Sequence, residues 1–146
     1  MTEVFEYQTG AFPGSGGLTL TYQSWRPRDR SPHAVVIAVH GLGDHSGLYA
    51  PGVEHLVPRG YAWYGFDLRG HGRSPGPRGH IQSWAEYRED LRAFLGLIGE
   101  MEPGRTRFLL GNSLGGLIVL DYALHYPESL DGVVAIGAPL GRIGVP

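Results

Sequence analysis

Residues Gly111-Asn112-Ser113-Leu114-Gly115 read G-x-S-x-G, a pattern that can present one serine hydroxyl as a nucleophile. The apolar run Phe108-Leu109-Leu110 precedes it, and a helical pattern of Leu117, Leu120, Asp121 and Leu124 follows, stopped by Pro127. Strand, pentapeptide and helix in that order are what a nucleophile elbow requires. Such a turn strains the serine backbone and leaves room only for very small residues two positions either side, a demand Gly111 and Gly115 meet. Ser113 would then project above a sheet at a helix N-terminus, where the helix dipole favours developing negative charge.

An acyl-transfer site also needs donors for the oxyanion. His40-Gly41-Leu42-Gly43 directly follows the apolar, β-branched run Ala34 to Val39. The amide after the nucleophile, Leu114, and one from this loop, Leu42, are the expected pair, with Gly41 and Gly43 letting the backbone come close. Alone, the loop reads equally well as a plain glycine-rich turn; beside the elbow, the oxyanion reading prevails. His40, Gly41, Gly43 and Asn112 are expected to border the substrate.

The other polar candidates read as structural. In Asp67-Leu68-Arg69-Gly70-His71-Gly72-Arg73-Ser74 the aspartate is expected to collect amides of its own loop, and the glycines to permit positive φ. His71 and His80 precede the serine on the chain and read as loop histidines, solvated or bonded to backbone. Asp121 and His125 stand i, i+4 on one helix without a third ligand nearby, so a surface pair is favoured over a metal site. Asp131 leads into the last strand instead of following it, a poor place for a triad acid. No metal or cofactor is expected.

The elements that must position these residues follow from periodicity. Val4 to Thr9 and Leu18 to Trp25 alternate as an antiparallel pair around Pro13-Gly14-Ser15-Gly16-Gly17. Strands are expected at Ala34 to Val39, Tyr61 to Phe66, Arg107 to Leu110 and, buried, Gly132 to Ile136. Helices are expected from Ser46 to Arg59 (stripe Leu48, Tyr49, Val53, Leu56, Val57, ended by Gly60), from the capping box Ser83-Trp84-Ala85-Glu86 to Met101, and from Leu114 to Tyr126. Two strands, then strands alternating with helices, imply a doubly wound, mostly parallel α/β sheet in one domain, residues 1–146. A net charge of -2 without a basic cluster gives no footprint for nucleic acid. No cysteine is present, which removes disulfides and thiolate metal sites. No leader pattern or transmembrane-length apolar run is seen, so a cytoplasmic protein is the expectation.

Three segments, His40 to Tyr49, Gly65 to Ser74 and Gly111 to Gly116, together resemble the α/β-hydrolase superfamily, most of all its monoacylglycerol lipase and lysophospholipase branch. His40 to Tyr49 is the most specific, because generic hydrolases keep the His-Gly but rarely the Gly-Asp/Glu-His-Ser after it. Asn112 departs from the histidine that members often place there. The resemblance implies an α/β-hydrolase fold, Ser113 as nucleophile, Leu42 and Leu114 as oxyanion amides, and a triad order of serine, acid, histidine. It covers the N-terminal half of that fold, about six strands with flanking helices, short of the cap and the last strands. The chain ends at Pro146, where the cap insertion is expected, and Gly137 to Pro146 holds no Asp, Glu or His.

A serine hydrolase of carboxylic esters, on a monoacylglycerol, lysophospholipid or other small ester, is therefore the leading expectation. Its triad acid and base would come from a C-terminal-half chain, with self-association as the other way to cover the open sheet edge. The alternatives are a non-catalytic binding or assembly module and another activity on the same fold, such as a cofactor-free haloperoxidase or a C–C hydrolase.

Overall fold

The computed structural model describes residues 5–141. The strand start expected at Val4, the leader-free start at 1–4 and the end of the tail at 142–146 lie outside the described residues. Six strands form one sheet: β1 (Phe5–Pro13), β2 (Thr19–Pro27), β3 (Ala34–Val39), β4 (Tyr61–Phe66), β5 (Thr106–Asn112) and β6 (Gly132–Ile136). Their order is β1-β2-β4-β3-β5-β6, with β1–β2 and β2–β4 antiparallel and the other pairs parallel. Helix α1 (Ala50–Leu56) joins β3 to β4, α2 (Trp84–Met101) joins β4 to β5, and α3 (Leu114–His125) joins β5 to β6. This is the expected doubly wound, mostly parallel α/β sheet with an antiparallel pair at its start.

Alternation along β3 divides the core. Val35, Ile37 and Val39 face α2 and α3, whereas Val36 and Ala38 face Val53 and Val57 beside α1. The larger cluster takes Leu91, Phe94 and Ile98 from α2, all fully buried and each contributing roughly 1.5–3 kcal/mol by removal from water. The capping box starts α2 as expected: the Ala85 N–H donates to Ser83 Oγ and the Ser83 N–H to Glu86 Oε2.

Several boundaries and faces differ from expectation, each for a local reason. The first hairpin is longer, because β1 continues past Thr9 to Pro13 and pairs Phe12 with Leu20. Gly10 masks that continuation; a Cβ there would sit 2.6 Å from the Tyr22 ring, so the blank in the apolar pattern is a packing requirement. The segment expected as one helix from Ser46 to Arg59 is a 3-10 turn, α1, and a second 3-10 turn, with a proline early in α1 and another early in the last turn. The first 3-10 turn also shifts the phase, so Leu48 is exposed instead of joining the stripe; Gly60, at φ 94°, ends the segment as expected.

On α3 the buried face is Ile118, Val119 and Tyr122, while Leu124 points to solvent. The close approach of Gly115 to Val39 selects this face of a nearly all-apolar helix. Finally, β6 is not the buried strand expected. It pairs only with β5 among the described residues, and Val134 and Ile136 stand half-exposed on the face opposite α3. No helix among the described residues is long and apolar enough to cross a membrane.

Candidate active site

The end of β5 and the start of α3 meet at Ser113, whose φ of 54° and ψ of −117° make it the one non-glycine positive-φ residue among the described residues. Holding a side chain there costs about 1–3 kcal/mol, a strain the surroundings must impose. They do so sterically. A Cβ on Gly111 would lie 2.2 Å from the Gly115 carbonyl oxygen, and one on Gly115 would lie 2.0 Å from the Val39 carbonyl oxygen. The Ser113 N–H donates to the Ile136 carbonyl at 2.8 Å, tying the elbow to β6. The Ser113 side chain is exposed, and its hydroxyl has no partner among the described residues.

The loop after β3 lies against this serine. A Cβ on Gly41 would be 3.3 Å from Ser113 Cβ and 3.3 Å from the Asn112 carbonyl oxygen, so glycine lets the loop close on the nucleophile. The Asp44 N–H donates to the Gly41 carbonyl at 3.1 Å, and Gly43 takes φ 79°, so 41–44 form a tight turn with Leu42 at its exposed tip. Leu114 is the first residue of α3, where an N–H has no acceptor within its own helix. The loop, Asn112 and Ser113 are thus together; His40 differs from the others.

His40 is fully buried, and both its ring nitrogens are engaged. Nε2 accepts the Leu68 N–H at 2.9 Å, which places the proton on Nδ1, 2.8 Å from the Gly41 carbonyl. Burial is the main reason its pKa falls to about 4, so the ring is neutral at physiological pH. Instead of bordering substrate as expected, it ties the turn beside Ser113 to the loop after β4. The His71 ring stacks edge-on against it at 5.3 Å and sends Nδ1 to the Arg69 carbonyl at 3.0 Å.

Asp67 fills the structural role expected of it, with more partners than its own loop supplies. Oδ1 accepts the Ser46 N–H (2.8 Å) and hydroxyl (2.7 Å), and Oδ2 accepts the Arg73 N–H (2.9 Å). Burial works against its charge, but the bonds from Ser46 and Arg73 prevail and hold its pKa below the usual carboxylate range. Arg69 pairs with buried Asp90 through two bonds of 2.7 and 2.8 Å and also reaches Glu86 and the Ser15 carbonyl. Sequence reasoning missed Ser46 and Asp90. Asp90 could have been found, because it interrupts the apolar face of α2 between Tyr87, Leu91 and Phe94.

The remaining candidates lie away from the nucleophile. His125 ends α3, about 18 Å along the axis from Ser113, and its side chain faces the Asp121 carbonyl oxygen and carboxylate. That is the pairing expected on this helix; Asp121 also pairs with Arg88 of α2 at 3.0 Å, a partner its spacing did not show. Asp131 accepts the Arg107 N–H at the opposite end of β5, about 20 Å from the elbow. No cluster that could hold a metal occurs among the described residues.

A family model described as Hydrolase_4, serine aminopeptidase S33, matches residues 30–144. The chain belongs to this α/β-hydrolase family. It is 37% identical over 127 residues to a monoacylglycerol lipase of Mycolicibacterium smegmatis, covering 87% of this chain and 45% of the relative. It is 31% identical to the monoglyceride lipase of Homo sapiens, over 82% of this chain and 39% of that protein. The chain thus spans less than half the length of these relatives.

Among solved structures, a monoacylglycerol lipase of Paleococcus ferrophilus superposes with a TM-score of 0.70 at 35% identity, covering 97% of this chain and 47% of that one. A thermostable carboxyl esterase from Bacillus coagulans superposes at 0.79 with 24% identity, over 87% of this chain and 43% of that one, a likeness of fold.

Proposed function

We propose that Ser113 is the nucleophile of a serine hydrolase that cleaves carboxylic esters of monoacylglycerol or lysophospholipid type, through an acyl-enzyme. The observation that carries this reading is the elbow itself: an exposed serine held at φ 54° between two glycines that tolerate no Cβ. Strained residues of this kind cluster at functional sites, where the surrounding packing holds them in place. In this reading the Leu42 and Leu114 N–H groups receive the oxyanion, Gly41 and Gly43 allow the acyl carbon to approach, and Asn112 borders the substrate. The relatives named monoacylglycerol lipase support the substrate class.

Serine needs a base to be a useful nucleophile at neutral pH. His40 has both nitrogens occupied, and His125 lies at the wrong end of α3. The reading therefore includes an acid and a histidine contributed by the other half of the fold, which would also cover the open edge of β6 and its exposed Val134 and Ile136. Residues 1–146 act in it as the N-terminal half of a hydrolase core.

The test is turnover of a monoacylglycerol by the completed fold, with Ser113→Ala beside it. Loss of turnover in a variant of unchanged stability supports the assignment. Persistent turnover contradicts it.

A further inference from the structure

A second concave surface lies on the α1 face of the β1–β2 hairpin. It has a volume of about 330 Å³, and none of Ser113, Leu42 and Leu114 lines it. That volume is within the usual range for small-molecule sites, roughly 300–1,000 Å³. Thr9 and Gln23 stand opposite each other across the β1–β2 ladder, and Thr21 lies beside them on β2. The loop after β3 contributes His45 and Ser46, and the loop after β4 contributes Asp67 and Arg73.

Polar groups are distributed from the floor to the rim of this cleft, among apolar surface from residues such as Tyr7 and Tyr22. Buried Ser46 and Asp67 form the floor, and a hydrogen-bond chain leads outward from it. Gln23 Nε2 donates to Ser46 Oγ at 2.7 Å, and the Tyr7 hydroxyl donates to Gln23 Oε1 at 2.9 Å. That chain leaves unused capacity: one Gln23 N–H, a Tyr7 lone pair, and the Thr9 and Thr21 hydroxyls. His45 Nδ1 accepts the Gly47 N–H, so a neutral ring carries its proton on Nε2 as a further donor. Among the described residues no carboxylate pairs with the Arg73 guanidinium. The two loops close on each other at Gly72, at φ 50°, where a Cβ would lie 2.3 Å from Asp67 Oδ2 and 3.1 Å from His45 Cβ.

We propose that this cleft is a binding site for a small neutral polyol, between glycerol and a monosaccharide in size. Asp67 at the floor carries a negative charge and Arg73 at the rim a positive one, so an anion meets the first and a cation the second. Adjacent hydroxyls that both donate and accept match the mixture of Thr, Gln, Tyr, His and Arg groups. The site stands apart from the reading of Ser113 and does not depend on it.

The test is a ¹H–¹⁵N amide-shift titration of the protein in a Ser113→Ala background, with glycerol, myo-inositol and inorganic phosphate as separate probes. The result expected is saturable shifts at Thr9, Thr21, Gln23 and Gly72 with one of the polyols. A Thr9→Val, Thr21→Val variant, isosteric at an exposed and a half-buried position of the sheet face, should raise its Kd at least tenfold while the remaining amide spectrum is retained. Arg73→Gln, on an exposed side chain, is the second variant and should also weaken binding. No saturable shift with either polyol up to roughly 0.1 M, well beyond a millimolar Kd, overturns the proposal. Saturation by phosphate alone makes it an anion site and overturns the ligand class, and polyol binding unaltered by both variants overturns the location.

Discussion

His40 Nε2 accepts the Leu68 N–H at 2.9 Å, so a buried neutral imidazole joins the turn beside Ser113 to the loop after β4. Burial lowers its pKa from 6.5 to about 4. The unfolded chain therefore takes up this proton before the native state does. Native stability is full above pH 6.5 and falls as pH drops from 6.5 through 4, by roughly 3 kcal/mol from this group. His40→Gln cannot protonate and keeps an acceptor. Denaturant melts of both proteins across that window should show the wild type losing its advantage as pH falls; parallel pH curves would contradict the assignment.

Gly115→Ala should be among the most damaging single changes. Its Cβ would meet the Val39 carbonyl oxygen at 2.0 Å, a backbone atom in the central strand that cannot swing aside. A loss of about 3 kcal/mol or more is expected, at the upper end for overpacking. A thermal midpoint within a degree or two of wild type would mean that α3 does not pack on β3 this closely.

Ser113→Gly should do the reverse. Removing the side chain from a residue at φ 54° releases conformational strain, partly offset by the greater freedom of glycine in the unfolded chain. A gain of about 1 kcal/mol, read from chemical denaturation, is expected together with loss of any nucleophilic reactivity. Destabilisation would show that the serine backbone is not strained.

Arg69 and Asp90 tie the loop after β4 to α2 from inside the protein. Asp90→Asn leaves the buried guanidinium without its bidentate partner and should cost about 3–5 kcal/mol. Replacing both residues, Arg69→Met with Asp90→Leu, should cost much less than the sum of the single changes. Additive losses in that double-mutant cycle would refute a direct pair.

Residue spacing was most informative where geometry is forced. Gly111 and Gly115 around Ser113 identified the elbow because nothing larger fits, and Ser83 with Glu86 marked the start of α2. Periodicity was weaker where nearly every face is apolar: on α3 the pattern leaves the buried side open, and the close approach of Gly115 to Val39 decides it. His40 carried no local sign of its burial. Its position next to Gly41 suggested a substrate contact, whereas its partner, Leu68, is 28 positions away. Long-range polar pairs such as Ser46 with Asp67 and Arg69 with Asp90 are likewise invisible until the strands are in register.

The central claim is that Ser113 is an activated nucleophile in the completed hydrolase, and covalent labelling tests it most directly. The completed protein is treated with a fluorophosphonate, digested, and the peptide spanning the elbow is weighed. The account predicts one phosphonyl adduct on Ser113, formed at neutral pH and absent from Ser113→Ala. An unlabelled Ser113 in a folded, completed protein, or an adduct on a different serine, would contradict it.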